Sequence, residues 1–168
     1  MLFNFIRASM GSVDAQLKLG EYYYFCRKNG KHLEKAAYWF RKAAENNNTD
    51  AQVYMATLHL QGYGVKQNEF EAFNWYRKAA ELGSSRGQHS LGWCYQQGYG
   101  TERDFVRAVL WWKKSALQNE PESQHGLGLA YAKGEGVEKD LEEARKWLQL
   151  AIANGLEEAK DDLLDLNG

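Results

Sequence analysis

With 21 Lys and Arg against 22 Asp and Glu in 168 residues, the chain carries a formal net charge of −1. That balance excludes a general affinity for nucleic acid, which rests on many phosphate contacts. No run approaches the ~20 apolar residues of a membrane span, and the two cysteines are too few for a disulfide framework.

The length suits one domain over residues 1–168, with a substantial core. Six Trp, ten Tyr and seven Phe supply much of its burial, at about 1.5–3 kcal/mol for each large apolar side chain fully buried. Charge is uneven along the chain. Residues 1–49 hold eight Lys and Arg against four Asp and Glu, while residues 122–168 hold five against eleven. Exposed charge is the ordinary state of a surface; the sharper reading is an oriented field that steers a charged partner. The opening MLFNFI has no basic residue before it and is too short for a signal-peptide core.

Internal repetition decides the architecture. Trp39, Trp75, Trp111 and Trp147 are each 36 residues apart, and Ala36, Ala72, Ala108 and Ala144 keep the same step. Leu19, Met55, Leu91 and Leu127 form an earlier slot, followed by Gly20, Ala56, Gly92 and Gly128. Tyr23, Tyr95 and Tyr131 share a slot with His59. Within a first helix, the small slot (Ala15, Ala51, Gly87, Ser123), the Leu slot and the Tyr slot lie four apart and share one face. The small residue after each Leu lets a neighbouring helix approach closely.

In chain order, residues 1–13 are expected to form an N-terminal capping helix. Shifted by 36, Phe3 falls on the Trp slot, Ala8 on a small slot and Gly11 on the terminating slot. Repeats follow at 14–49, 50–85, 86–121 and 122–157. Gly62, Gly98 and Gly134 fall where a helix end needs a left-handed residue. Asn68, Asp104 and Asp140 are then N-caps of the second helices, with Glu71 and Glu143 completing capping boxes. Asn47, Gly83, Asn119 and Gly155 end those helices. The first repeat departs at Cys26–Gly30, where a different loop is expected, with Gly30 left-handed and His32 in the capping place. Residues 158–168 restart the first-helix pattern with Ala159 and Leu163, as a C-terminal cap covering the end of a one-dimensional stack. Cys26 and Cys94 lie two repeats apart, which at about 10 Å per helix pair is beyond disulfide reach. Free thiols suit a reducing, cytoplasmic compartment.

The turns GYGVKQN and GEGVEKD and the helix ends WFRKAAENN and WYRKAAELG resemble the Sel-one-like repeat (SLR) family, a relative of the tetratricopeptide repeat. The resemblance covers essentially the whole chain. It implies an all-α fold, a right-handed α/α superhelix or solenoid of antiparallel helix pairs with half-repeat caps. It also implies a protein-binding scaffold, in which first helices line the concave surface.

Chemistry-bearing patterns are sparse. His89 and His125 occupy one slot in adjacent repeats, too far apart to share an ion; His59 replaces a core Tyr, and no metal-site spacing appears. The Gly-x-Gly turns follow no strand and lack a third glycine, so the dinucleotide fingerprint fails. Asp161, Asp162 and Asp165 lack the spacing of a calcium loop, and no Ser or Cys stands in a nucleophile motif. The expectation is a non-enzymatic chain with no cofactor and no metal.

With the Leu and Tyr slots buried, the outward first-helix residues are Leu17, Glu21 and Tyr24, then Val53, Thr57 and Leu60. The third copy gives His89, Trp93 and Gln96, and the fourth His125, Leu129 and Ala132. This strip is the expected binding face for another protein or peptide in the concave groove, with Trp93 as its anchor. By resemblance to bacterial SLR proteins encoded beside effectors, the narrower alternative is an immunity or inhibitor protein capping a secreted effector or toxin. The alternative of another class, a small-molecule hydrolase, lacks a convergent acid, base and nucleophile.

Overall fold

The structure, a computed structural model, describes residues 2–26 and 30–166. Within them the chain is all-helical: α1 (Leu2–Ser9), α2 (Val13–Phe25), α3 (Gly30–Glu45), α4 (Thr49–Gln61), α5 (Glu69–Glu81), α6 (Ser85–Gln97), α7 (Phe105–Ala116), α8 (Pro121–Lys133), α9 (Leu141–Ala153) and α10 (Ala159–Asp165). The even-numbered helices α2 to α8 are the first helices of the repeats, and α3, α5, α7 and α9 are the second. Two compact units divide the chain, Met1–Gly87 and Gln88–Gly168.

Local chemistry sets the ends of the helices. Asn68 accepts from the Glu71 backbone N–H at 3.1 Å, and Asp104 accepts from that of Arg107 at 2.9 Å. Asp140 accepts from both Glu142 and Glu143. The second helices end on left-handed residues, Asn47 (φ 61°), Gly83 (90°), Asn119 (63°) and Gly155 (102°). In the turns, Gly64 and Gly136 are left-handed as well, and they carry a second constraint. A Cβ at Gly64 would overlap the Leu33 carbonyl, and one at Gly136 the Phe105 carbonyl. Each turn therefore rests on the start of the preceding second helix.

In the first unit, Ala15, Leu19 and Trp39 pack with Ala8 of α1, and half-buried Tyr23 closes the cluster. The Phe5 ring meets Trp39 edge-on at 5.8 Å, so α1 covers this end of the core. In the second unit, Ala159 of α10 packs on Leu148 and Ala151, flanked by Leu156, Leu163 and Leu166. The two half-repeats thus bury apolar surface that would otherwise face water.

The second-helix stripe is wider than the Trp slot. The next residue, Phe40, Tyr76, Trp112 or Leu148, is buried in all four repeats, whereas Trp111 and Trp147 are half-buried. Gly20 faces Phe40, Gly92 faces Trp112 and Gly128 faces Leu148, so closely that an added Cβ would collide with each. These are the close approaches expected of the small residue after each Leu. His59 takes the Tyr position, 8 % exposed, with Nδ1 3.3 Å from the Lys66 carbonyl.

One expectation fails at the first repeat. α3 already begins at Gly30, so Gly30 is its first residue and His32 lies within the helix rather than at its cap. There the His32 ring packs 5.9 Å from Tyr23. Residues 27–29, where a different loop is expected, and the Phe3 side chain lie outside the described residues.

Candidate protein-binding site

The first-helix strip has a different structure in each unit. In the first, Tyr54 stacks on Phe40 with ring centroids 4.4 Å apart and planes at 9°, and Tyr24 packs on both rings. Thr57 Oγ1 lies 3.2 Å from the Tyr76 hydroxyl and 3.1 Å from the Val53 carbonyl. Arg86 holds its guanidinium 6.0 Å from the Tyr54 ring and 3.7 Å from Asp50. Burial, and then the nearby Glu21 carboxylate, push the Tyr54 hydroxyl above the ordinary tyrosine value. Leu17, Glu21, Tyr24, Thr57 and Leu60 are half-buried. Val53, expected to face outward, is buried at 5 % exposure. Its helix α4 packs beside α2.

In the second unit, His89, Trp93, Gln96, His125 and Leu129 line one cleft of about 180 Å³, together with Trp112, Phe105 and Gly126. Trp93 lies against Tyr99 at 4.7 Å between centroids; the turn tyrosine thus packs on its own helix pair. Trp112 Nε1 donates to the His89 carbonyl at 3.3 Å, fixing the indole that floors the cleft. Ala132 is half-buried and does not line it.

The cleft exists because of one residue. Two repeats on, Phe40 corresponds to Trp112 and Tyr54 to Gly126. Where Tyr54 covers the Phe40 ring, Gly126 presents only backbone to Trp112; even a Cβ there would come within 3.3 Å of the indole.

Both cleft histidines have partners. His89 Nδ1 is 3.0 Å from Ser123 Oγ, and His125 Nε2 meets an Asp162 carboxylate oxygen of α10 at 2.7 Å. Burial lowers the His89 pKa from its ordinary value, partly opposed by Glu122, so a neutral imidazole is favoured there. A Ser–His contact can serve nucleophilic catalysis. Ser123, however, is wholly buried in the small slot and its hydroxyl is not presented to a substrate. Among the described residues, no three His, Cys, Asp or Glu side chains stand close enough to hold a metal ion, and no helix is long and apolar enough to cross a membrane.

The four helix pairs coincide with four matches to the Sel1 repeat family, at residues 13–48, 49–84, 85–120 and 121–156. The chain belongs to the Sel1 repeat family. Sel1-repeat proteins generally serve as scaffolds for protein interactions. A Sel1 repeat protein from Oxalobacter formigenes is 34% identical with a TM-score of 0.88, covering 96% of this chain and 64% of its own length. A protective antigen present in uropathogenic Escherichia coli strains, displaying an SLR fold, is 36% identical with a TM-score of 0.85. That match covers 90% of this chain but 32% of the antigen. This Sel1 chain thus spans less than two thirds of either protein. Cysteine rich protein B of Helicobacter pylori is 29% identical over 82% of this chain and 98% of its own, with a TM-score of 0.63.

The periodic frame missed one slot. Gln16, Gln52, Gln88 and Gln124 are 36 apart and all buried. Gln16, Gln52 and Gln124 donate through Nε2 to the carbonyls of Ala8, Ala44 and Ala116, tying each first helix to the end of the preceding second helix. The repetition was visible in the sequence; its polar character concealed its burial.

Proposed function

We propose that this Sel1 chain binds a partner protein through the cleft between α6 and α8, taking an apolar side chain of the partner against Trp112, Trp93 and Leu129. The observation that supports this reading is the exchange of Tyr54 for Gly126, which sets a cleft rather than a stacked ring beside the buried Trp112 indole. A cleft of about 180 Å³ is smaller than the roughly 300–1,000 Å³ of most small-molecule sites. That size favours a single anchoring side chain over a whole metabolite. Aromatic anchors at the centre of an interface commonly carry much of its affinity. Cys26 and Cys94, neither of them in a disulfide, support a cytoplasmic setting.

Affinity purification from the native cell, with mass spectrometry, is the test. The parent chain should retain a defined partner that Leu129→Glu and Trp93→Ala both release, while helical circular dichroism and melting temperature stay unchanged. Retention of the same partner by both folded variants would remove the assignment.

A further inference from the structure

The glutamine slot separates the repeats in a way that the scaffold reading does not use. In the second unit the oxygen of each buried Gln side chain has a donor. Gln88 Oε1 accepts from Gln118 Nε2 at 2.8 Å, and Gln124 Oε1 accepts from Asn154 Nδ2 at 2.9 Å. Each donor lies 30 residues after its Gln, just past the end of the next second helix. In the first unit, Gln16 and Gln52 have buried Oε1 atoms with no hydrogen-bond partner. For Gln16 the matching donor exists: Asn46 stands in the slot, although its amide donates to the Lys42 carbonyl. For Gln52 the slot holds Leu82, which has no donor to offer.

Gln52 is 1 % exposed, and its Nε2 is already committed to Ala44. A buried amide oxygen without a donor costs about 1–3 kcal/mol. Gln52 also lines a cleft of about 400 Å³ with Leu82, Trp75 and Lys78. Trp75 is 7 % exposed and Leu82 51 %. The Lys78 ammonium lies 4.2 Å from the Trp75 ring centroid. Glu45, Asn47 and Glu81 also line it, so the cleft combines an apolar wall, an unused acceptor, one ammonium and two carboxylates.

We infer that this cleft is a binding site for a primary carboxamide on an aliphatic stem, such as a glutamine side chain. The ligand amide N–H groups supply the donor that Gln118 and Asn154 supply in the later repeats. Trp75 and Leu82 receive the stem, and Lys78 offers a donor for the amide oxygen. An alkylammonium, although Glu45 and Glu81 would attract it, brings no acceptor for Lys78, and an ester brings no donor at all.

The test is a titration of the full chain, ¹⁵N-labelled, reading the Gln52 side-chain amide pair and the Trp75 indole N–H by nuclear magnetic resonance. Pentanamide probes a free amide. An acetylated Ala-Ala-Gln-Ala-Ala N-methylamide probes a glutamine within a chain, and the tighter of the two identifies the source. Saturable shifts of both signals at up to about 10 mM ligand are expected for so small a contact. Leu82→Gln, which places the missing donor in the exposed slot, should weaken the binding about tenfold or more; Leu82→Asn, which copies the Asn154 arrangement, should do the same. Absence of a saturable shift from both amides would overturn the site. So would unchanged binding in the folded Leu82 variants. Equal binding of methyl pentanoate or butylamine would overturn the carboxamide assignment.

Discussion

The two units of this Sel1 chain solve the same packing problem with opposite results. In Met1–Gly87, Tyr54 lies flat on Phe40, and the stacked ring fills this position of the first-helix face. In Gln88–Gly168, the equivalent pair is Gly126 over Trp112, and a cleft opens between α6 and α8. The glutamine slot runs the other way. It is satisfied in the second unit and lacks a donor at Gln52 in the first. Repetition of a fold thus does not repeat a surface. The invariant slots hold the helices together, and exchanges of size or polarity between equivalent slots create the places where something else can fit.

The largest expected effect comes from exchanging the two pairs. Gly126→Tyr should fill the cleft beside Trp112, at the position where Tyr54 stacks on Phe40, reducing partner affinity about a hundredfold, or ~2.7 kcal/mol, with the fold retained. Binding of the captured partner, followed by calorimetry, checks it; full affinity in the folded variant would break the comparison. The reciprocal Tyr54→Gly removes a stacked ring and adds a helix glycine. It should cost about 2–4 kcal/mol in chemical denaturation.

The rings at the floor of the two sites are both buried, Phe40 at 0 % and Trp112 at 4 % exposure, and differ in what surrounds them. Phe40 is 0 % exposed, so Phe40→Ala should destabilise by about 3–5 kcal/mol through lost transfer energy and a residual cavity. Trp112→Ala also removes a large buried ring, but its site already borders a cleft into which neighbours can relax. A smaller loss per buried atom is expected for Trp112, measured by urea unfolding of both variants.

Much of this organisation was legible in the sequence because a 36-residue period multiplies every signal. One Gly-x-Gly turn is ambiguous, whereas Gly62, Gly98 and Gly134 at one step define the positive-φ turn seen in all three. The caps at Asn68, Asp104 and Asp140 were readable for the same reason. Other features depend on which slots touch across helices. Nothing in the local sequence says that residue 54 meets residue 40, and so the Gly126 exchange was invisible before the helices were placed. Val53 was misread because helical spacing gives a direction, not how closely the surrounding helices pack. The start of α3 was misplaced because the first repeat lacks the capping Asp on which the frame relied.

Protonation is a smaller perturbation that acts in both units. His59 and His89 each have a pKa lowered from 6.5, chiefly by burial. The unfolded chain therefore binds protons below pH ~6.5 that the folded chain resists. Stability contributed by the neutral histidines is complete above that value and falls as the pH drops through it. The melting temperature should decline between pH 7 and 5. His59→Gln and His89→Gln should each flatten that decline, and an unchanged slope in both would show that other groups carry it.

The smallest expected effects concern how the first helices begin. In the first unit, Asn48 accepts from the Ala51 N–H at 2.8 Å, whereas Ser12 accepts from the Ala15 N–H at 3.5 Å. In the second, α8 begins after Glu120 with no side-chain cap hydrogen bond and with Pro121 in its first turn. Asn48→Ala should cost about 1 kcal/mol, near the middle of the range for a lost N-cap, and Ser12→Ala markedly less. Pro121→Ala acts through the unfolded chain, which gains conformational freedom, and should cost about 0.4–1 kcal/mol. Thermal melts of the three variants would test the ordering. A Ser12 effect as large as that of Asn48 would mean that the long 3.5 Å contact shortens in solution, so that both first helices of the first unit begin on equal caps.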